Sequence, residues 1–327
     1  MHVMIIGAAG MLGKKLSAKL ASAPGALGRD IQRLTLADVV DTPTPDGFTG
    51  EAASIACDLS QQGLAAGLIA SRPDVIFHLA AIVSGEAEAD FDKGYSINLD
   101  GTRLLFEAIR GEGMKAPYCP RVIFSSSIAV FGAPFPDSIG DEFLSAPLTS
   151  YGTQKAICEL LLADYSRRGI FDGIGLRLPT ICVRPGLPNK AASGFFSNII
   201  REPLAGLEAV LPVDESVRHW FASPRAAIGF LLHAATLETA LAGSRRTLSM
   251  PGVSATVGEQ IASLARLAGP KTVSLIRREP DAAIRKIVDG WPSSFEAKRA
   301  LALGFKAEAS FDDIVRAHID DEMGGKV

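Results

Sequence analysis

The sequence is poor in several things, and each shortage removes a class of function. Four cysteines, Cys57, Cys119, Cys158 and Cys182, are scattered through 327 residues, with no C-x-x-C among them. Such spacing argues against a zinc site or a disulfide framework and fits free thiols in a reducing compartment. No metal site is expected. Basic residues are not in excess either. A net charge of -3 and a pI near 6.0 leave nothing to neutralise phosphates along a duplex, so no nucleic-acid partner is expected. No apolar run approaches the ~18 residues of a membrane span. The N-terminal "VMIIGAAGMLG" lacks the basic region of a secretory leader. A cytoplasmic protein with no membrane partner is therefore expected. Internal repeats and low-complexity tracts are missing too, which excludes solenoid and linker-like architectures.

What is present is a well-mixed globular chain, 47% apolar and 21% charged, long enough for two domains or for one with an elaborated lobe. Over the first 125 or so residues, short β-branched runs alternate with helical patterns. The strands are "HVMIIG", "RLTLAD", "DVIFHLA" and "RVIFSSS"; between them lie "MLGKKLSAKLASA", "QQGLAAGLIAS" and "NLDGTRLLFEAIRGEG". Runs apolar on both faces, joined by helices, predict an α/β fold of the Rossmann type, a doubly wound parallel sheet covered by helices on each side. A helix from Tyr151 to about Arg168 and a strand "IGLRLPTI" follow, and then the Pro/Gly-rich "VRPGLPNKAASG" changes the composition. The predicted partition is a dinucleotide-binding domain over 1–180 and a smaller substrate lobe over 181–327, some segments of which return to the first domain. Within the lobe, Ser310 before an acidic turn reads as a helix cap.

Three glycines, Gly7, Gly10 and Gly13, stand between the first strand and the first helix in "GAAGMLG". Glycines there allow a tight turn and close approach of backbone N–H groups to a pyrophosphate, which the helix N-terminus also favours. The spacing is G-x-x-G-x-x-G rather than G-x-G-x-x-G. Asp38 ends the second strand, where an acid accepts hydrogen bonds from the adenosine ribose and repels a 2′-phosphate. Val39 and Val40 follow it, with no arginine, so NAD is expected rather than NADP. A strand-end aspartate capping a turn is the other reading of Asp38. Asp58 in "CDLS" is placed to reach the adenine amino group or simply to hold a turn.

Together with "DL" at 58–59, "HLAA" at 78–81, "NLDGT" at 98–102, "FSSSIAVFG" at 124–132 and "YGTQK" at 151–155, these pieces resemble the extended short-chain dehydrogenase/reductases. That family includes nucleotide-sugar epimerases and dehydratases, and the motifs come in its order across about the first 180 residues. The resemblance implies that Met11, Leu12, Leu59, Leu79, Ala80, Ala81 and Pro179 also line the cofactor. Further on, "TICVRPGLPNKAASGFFSNIIREPLAG" and "VRHWFASPRAAIGFLLHAA" are more similar to the D-erythronate dehydrogenases, a subgroup that oxidises a four-carbon sugar acid at C2 with NAD. Two positions depart from the sugar-nucleotide pattern. Thr180 stands where those enzymes usually carry Asn, and "RHWFASPR" keeps Arg218 but drops the acids of "RDF-HVDD".

Tyr151 and Lys155 are four apart on one helix face. A free tyrosine has a pKa near 10, too high for a base at neutral pH. A lysine ammonium one turn away and a positive nicotinamide both favour the phenolate, so Tyr151 is expected to remove the hydroxyl proton while hydride leaves carbon. Lys155 has donors for the nicotinamide ribose. Strand alternation puts Ser125 and Ser127 on one side, and by resemblance Ser127 is the catalytic serine, with Ser125 beside the cofactor. Asn98 is either the N-cap of its helix or a residue at the cofactor end of the site. His78 reads as a packed strand residue and Tyr95 as structural.

A sugar acid needs a fixed cation and small polar groups, for which Arg184, Arg218, Asn189, Lys190, Ser193 and Ser84 are candidates, alongside Ser127 and Tyr151. The leading expectation is NAD-dependent oxidation of the C2 hydroxyl of a small sugar acid, D-erythronate to its 2-oxo acid. A nucleotide-sugar epimerase or dehydratase is the second reading, and an NAD-sensing regulator is the third. The intact Ser127, Tyr151 and Lys155 argue against a sensor, which needs none of them. The family often assembles as homodimers through the helices that begin near Asn98 and Tyr151, and the apolar "AICELLLA" is compatible with that.

Overall fold

The computed structural model describes residues 1–186 and 192–326. In chain order, β1 (His2–Ile6) leads through the glycine turn into α1 (Met11–Ser22), followed by β2 (Arg33–Asp38), β3 (Glu51–Ala56), α2 (Leu64–Ile69) and β4 (Val75–His78). Two short helices, α3 (Ser84–Ala89) and α4 (Phe91–Gly94), run through a π-helical stretch, Tyr95–Asp100, into α5 (Gly101–Lys115). Next come β5 (Arg121–Ser127), α6 (Ser150–Arg167), β6 (Asp172–Leu178), β7 (Thr180–Ile181), α7 (Gly194–Leu204), β8 (Ala209–Leu211) and β9 (Arg218–Ala222). The chain continues with α8 (Pro224–Thr236), β10 (Thr247–Ser249), β11 (Val253–Thr256), α9 (Val257–Ala268), α10 (Pro270–Val273) and β12 (Ile276–Arg278). It ends with α11 (Ala282–Val288), α12 (Lys298–Ala302) and α13 (Phe311–Met323).

Two compact units share these elements, their segments interleaved along the chain. The first comprises 1–130, 149–177 and 228–248, and the second 131–148, 178–227 and 249–327. In the first, a seven-stranded sheet has the order β10-β6-β5-β4-β1-β2-β3. The pairs β3–β2, β2–β1, β1–β4 and β4–β5 are all parallel. The order reverses between β1 and β4, and in such sheets ligands bind outside the carboxyl ends at that switch point. The predicted doubly wound fold is observed. Val3 and Ile5 point to one face of β1, Met4 and Ile6 to the other, and all four are buried. On one face, Met4 and Ile6 join Ile76, Val122 and Phe124 in a core completed by Leu105, Phe106 and Ile109 of α5 and Cys158 and Leu162 of α6.

One local expectation is corrected. Asn98 does not cap a helix, because the chain is already helical when it arrives. Asp90 caps α4, accepting from the Lys93 N–H, and the helix passes through the π turn without a break. The π turn places the Asn98 carboxamide inward, against the Ile82 backbone. Tyr95 lies in the same stretch, its ring 4.5 Å from that of Phe91.

The second unit holds a three-stranded sheet, β11-β9-β7, and a parallel pair, β12-β8. Its core gathers Phe195, Phe196, Ile199 and Ile200 of α7 with Phe221 of β9, Ile261 and Leu264 of α9, and Phe311, Ile314 and Val315 of α13. Ser310 caps α13 by accepting from the Asp313 N–H, as its position before an acidic turn predicts. Among the described residues, no helix is long and apolar enough to cross a membrane.

Candidate active site

The glycine turn is built for close approach. Gly7 has φ +89°, and a Cβ placed on it would lie 2.5 Å from the Ala80 nitrogen, so the turn rests on the backbone that follows β4. A Cβ on Gly13 would lie 2.2 Å from the Gly7 oxygen, which forbids any side chain there. Gly10 is exposed and precedes α1 without a capping side chain. The helix offers the first-turn N–H groups of Met11, Leu12 and Gly13 no acceptor of its own, which is the arrangement that suits an anion. This cradle fits a dinucleotide pyrophosphate.

The neighbouring acids are placed as follows. Asp38 is half-buried at the end of β2; its Oδ2 accepts from the Ala9 N–H at 2.9 Å and its Oδ1 from its neighbour Val39 at 2.8 Å. It therefore ties the second strand to the glycine turn, and each carboxylate oxygen keeps capacity for a further donor. Asp58 Oδ1 accepts from the backbone and hydroxyl of Ser60, which hold its carboxyl below the usual range. Leu59 is buried, while Leu79, Ala80 and Ala81 are half-buried along the turn that carries Gly7.

The expected catalytic residues all lie in the first unit. Thr149 caps α6 by accepting from the Gly152 N–H at 3.1 Å, which sets the first turn and with it Tyr151. Tyr151 is half-buried, whereas Lys155 is 2% exposed. The Lys155 ammonium donates to the Ser125 carbonyl at 2.8 Å and lies 4.7 Å from the Phe124 ring centroid and 5.8 Å from that of Tyr151. Burial pushes this lysine down to about 8, with Glu159 acting in the opposite direction. Ser127 is half-buried at the tip of β5, its Oγ accepting from the Ala129 N–H. Ser125 donates to the His78 carbonyl. His78 itself is buried against Phe124, its Nε2 2.8 Å from the Thr102 hydroxyl; burial and the nearby Lys155 push it down to about 3. It stays neutral and serves packing, as the sequence suggested.

Two buried networks escaped the sequence reading. Glu159, one turn beyond Lys155, receives Arg177 of β6 through Nε and Nη2, at 3.0 and 2.7 Å, and the Ser126 hydroxyl at 2.5 Å. The signal was available: a lone acid in "AICELLLA" and a lone arginine in "IGLRLPTI". The second network pairs Asn98 with Gln154, both buried, at 2.7 Å. A glutamine beside Lys155 carries no such signal.

In the second unit, Pro179 is buried between β6 and β7. The Arg184 guanidinium donates to the Ile181 carbonyl at 3.0 Å and to the Ser193 hydroxyl at 3.1 Å, so two expected residues meet here. Arg218, at the start of β9, donates to the Ser254 carbonyl and pairs with Glu259 at 3.2 Å. Thr180 is 2.6 Å from His219 Nε2. His219 is buried, stacked on Phe196, and pushed down to about 3 by that burial. Ser84, in the first unit, begins α3 and is half-buried. Asn189 and Lys190 lie outside the described residues.

A glycine turn shaped for close backbone approach at the switch point of a doubly wound sheet, with a Tyr–Lys pair on the helix after β5, defines a class, and comparison with known proteins agrees. The chain belongs to the NAD dependent epimerase/dehydratase family, whose model matches residues 3–236. Within it, the D-erythronate dehydrogenase of Cupriavidus necator is 46% identical over 98% of this chain and 98% of its own length. The D-erythronate dehydrogenase of Haemophilus influenzae is 42% identical over 99% of this chain and 100% of its own. The solved structure of the nucleoside-diphosphate-sugar epimerase from Agrobacterium tumefaciens matches with a TM-score of 0.98 at 63% identity, covering 100% of this chain and 95% of that one. The family expectation is borne out, and the chain is an NAD-dependent dehydrogenase of this family with NAD as its cofactor.

Proposed function

We propose that the protein oxidises the C2 hydroxyl of a small sugar acid, D-erythronate, to the corresponding 2-oxo acid. The observation that carries the reading is similarity over the whole chain to two D-erythronate dehydrogenases, which takes in the lobe as well as the cofactor domain. Thr180, which stands where sugar-nucleotide enzymes usually carry Asn, supports it, since its hydroxyl is engaged with His219.

Tyr151 takes the hydroxyl proton. The buried Lys155 ammonium, one turn below, favours the phenolate; with its value near 8 it is still largely charged at neutral pH. An ammonium has three donors, and with one directed at Ser125 the others are assigned to the nicotinamide ribose hydroxyls. The Ser127 hydroxyl steadies the reacting oxygen, and Asp38 receives the adenosine ribose and disfavours a 2′-phosphate. NAD, when bound, supplies the hydride acceptor. We also assign homodimer assembly through α5 and α6, whose Met114 and Leu160 are 75% and 73% exposed.

One observation favours a second reading, epimerisation of a nucleotide-linked sugar, namely the relative from Agrobacterium tumefaciens. The two differ in net redox outcome, because an epimerase returns the hydride to its own substrate. The protein should be incubated with NAD and a panel of four-carbon acids and nucleotide sugars. NADH accumulation with D-erythronate is expected. Silence with every acid, together with turnover of a nucleotide sugar, would decide for the epimerase.

A further inference from the structure

We propose that Gln154 is a positioning residue for NAD binding, orienting Asn98 and through it the Ile82 backbone that continues from the glycine-turn support. This rests on the family reading that the chain binds NAD. Gln154 is 0% exposed, and a buried carboxamide is costly where a hydrocarbon of equal volume would fill the space, unless its hydrogen bonds have a purpose. Its Oε1 accepts from Asn98 Nδ2 at 2.7 Å. Asn98 is 1% exposed and grips the backbone of one residue with both arms: Oδ1 accepts from the Ile82 N–H at 2.9 Å, and Nδ2 donates to the Ile82 carbonyl at 3.3 Å.

These bonds fix the orientation of both amides. The Ile82 N–H demands an acceptor and the Ile82 carbonyl a donor, so Oδ1 of Asn98 must face the first while Nδ2 lies between the second and Gln154. Gln154 then has to present its oxygen, which turns its Nε2 toward α4. There Nε2 has no acceptor among the described residues, and a Cβ on Gly94 would come within 2.7 Å of it. Gly94 thus leaves room for the amide. Ile82 is two residues past Ala80, the residue whose nitrogen lies where a Gly7 side chain would have to go. The residue next to Lys155 is in this way connected through two carboxamides to the backbone supporting the phosphate turn. A slip of either amide shifts that support, while the Tyr151–Lys155 pair stays on its own helix.

The test uses the full-length protein and direct titration of NAD binding, which needs no knowledge of the substrate. Gln154→Met keeps the volume and loses the acceptor. It should weaken NAD affinity by about tenfold, the scale of one lost buried hydrogen bond, and raise KM for NAD far more than it lowers kcat. Asn98→Ala should do the same, and in the Asn98→Ala background Gln154→Met should cost no further affinity, because Gln154 acts through Asn98. Gly94→Ala perturbs the same amide from the other side, because its methyl would come within 2.7 Å of Gln154 Nε2 and 3.2 Å of the Ala87 carbonyl oxygen. It should also lower NAD affinity, and the unfolding midpoint measured for each variant separates lost binding from lost fold. Wild-type affinity in Gln154→Met, or losses that multiply in the double variant, would overturn the proposal. Absence of NAD binding in the unsubstituted protein would overturn the cofactor reading itself.

Discussion

On the proposed mechanism Lys155 is the residue on which the chemistry turns, and its burial is what makes it useful. A lysine at 2% exposure is held in place by the Ser125 carbonyl and the Phe124 ring. The ammonium lies 5.8 Å from the ring centroid of Tyr151, one turn above it, and a positive charge so close favours a phenolate. Tyr151→Phe should therefore keep NAD affinity while lowering kcat by about 10²–10⁴-fold, the usual contribution of a positioned proton acceptor. Lys155→Ala should lose both, because the proposal assigns that side chain to the phenolate and the ribose together. Steady-state kinetics beside an NAD titration separates the two outcomes. Substantial turnover in the phenylalanine variant would move the base elsewhere. His78 is not the place to look, for it is buried and neutral with a value near 3.

Among the elements, α6 has to be held most firmly, because Tyr151 and Lys155 both ride on it. Its grip on β5 is double. Lys155 takes the Ser125 carbonyl and Glu159 the Ser126 hydroxyl, so two consecutive residues before Ser127 are fastened to one helix. Arg177 adds β6 to the same clamp through Glu159. The carboxylate and guanidinium side chains are only 6% and 16% exposed. Removing one member of a buried pair costs about 3–5 kcal/mol, whereas replacing both by hydrocarbon is often close to neutral. Glu159→Leu should accordingly lower stability by about that amount in urea unfolding, and Glu159→Leu with Arg177→Leu should recover much of it. A double variant as unstable as the sum of its singles would mean that the pair is not coupled in this way.

Across the whole molecule, what the sequence disclosed depended on how local its cause was. The parallel sheet could be read because strands buried on both faces leave unbroken apolar runs, as in Val3–Ile6, and because glycine turns at Gly7–Gly13 have few alternatives. The Tyr151–Lys155 pair was legible for the same reason, since four residues on a helix fix a shared face. Asn98 was not. Its interior position is set by Ile82 and Gln154, 16 and 56 residues away, and no local pattern encodes such partners. Glu159 and Arg177 are a milder case, each visible as an odd charge in an apolar run, but joined only by the fold. Substrate choice is the least legible of all, because no separable motif carries it and its support comes from likeness over the whole chain.

The central claim is that hydride leaves C2 of a small sugar acid, and isotopic labelling tests it most directly. D-erythronate carrying deuterium at C2 should be incubated with NAD and the protein, and the reduced cofactor and the acid product analysed by mass spectrometry. Deuterium in the reduced cofactor, in amounts equal to the 2-oxo acid formed, is the expected result. Reduced cofactor without the label, or no reduced cofactor from any sugar acid while a nucleotide sugar is epimerised, would contradict it.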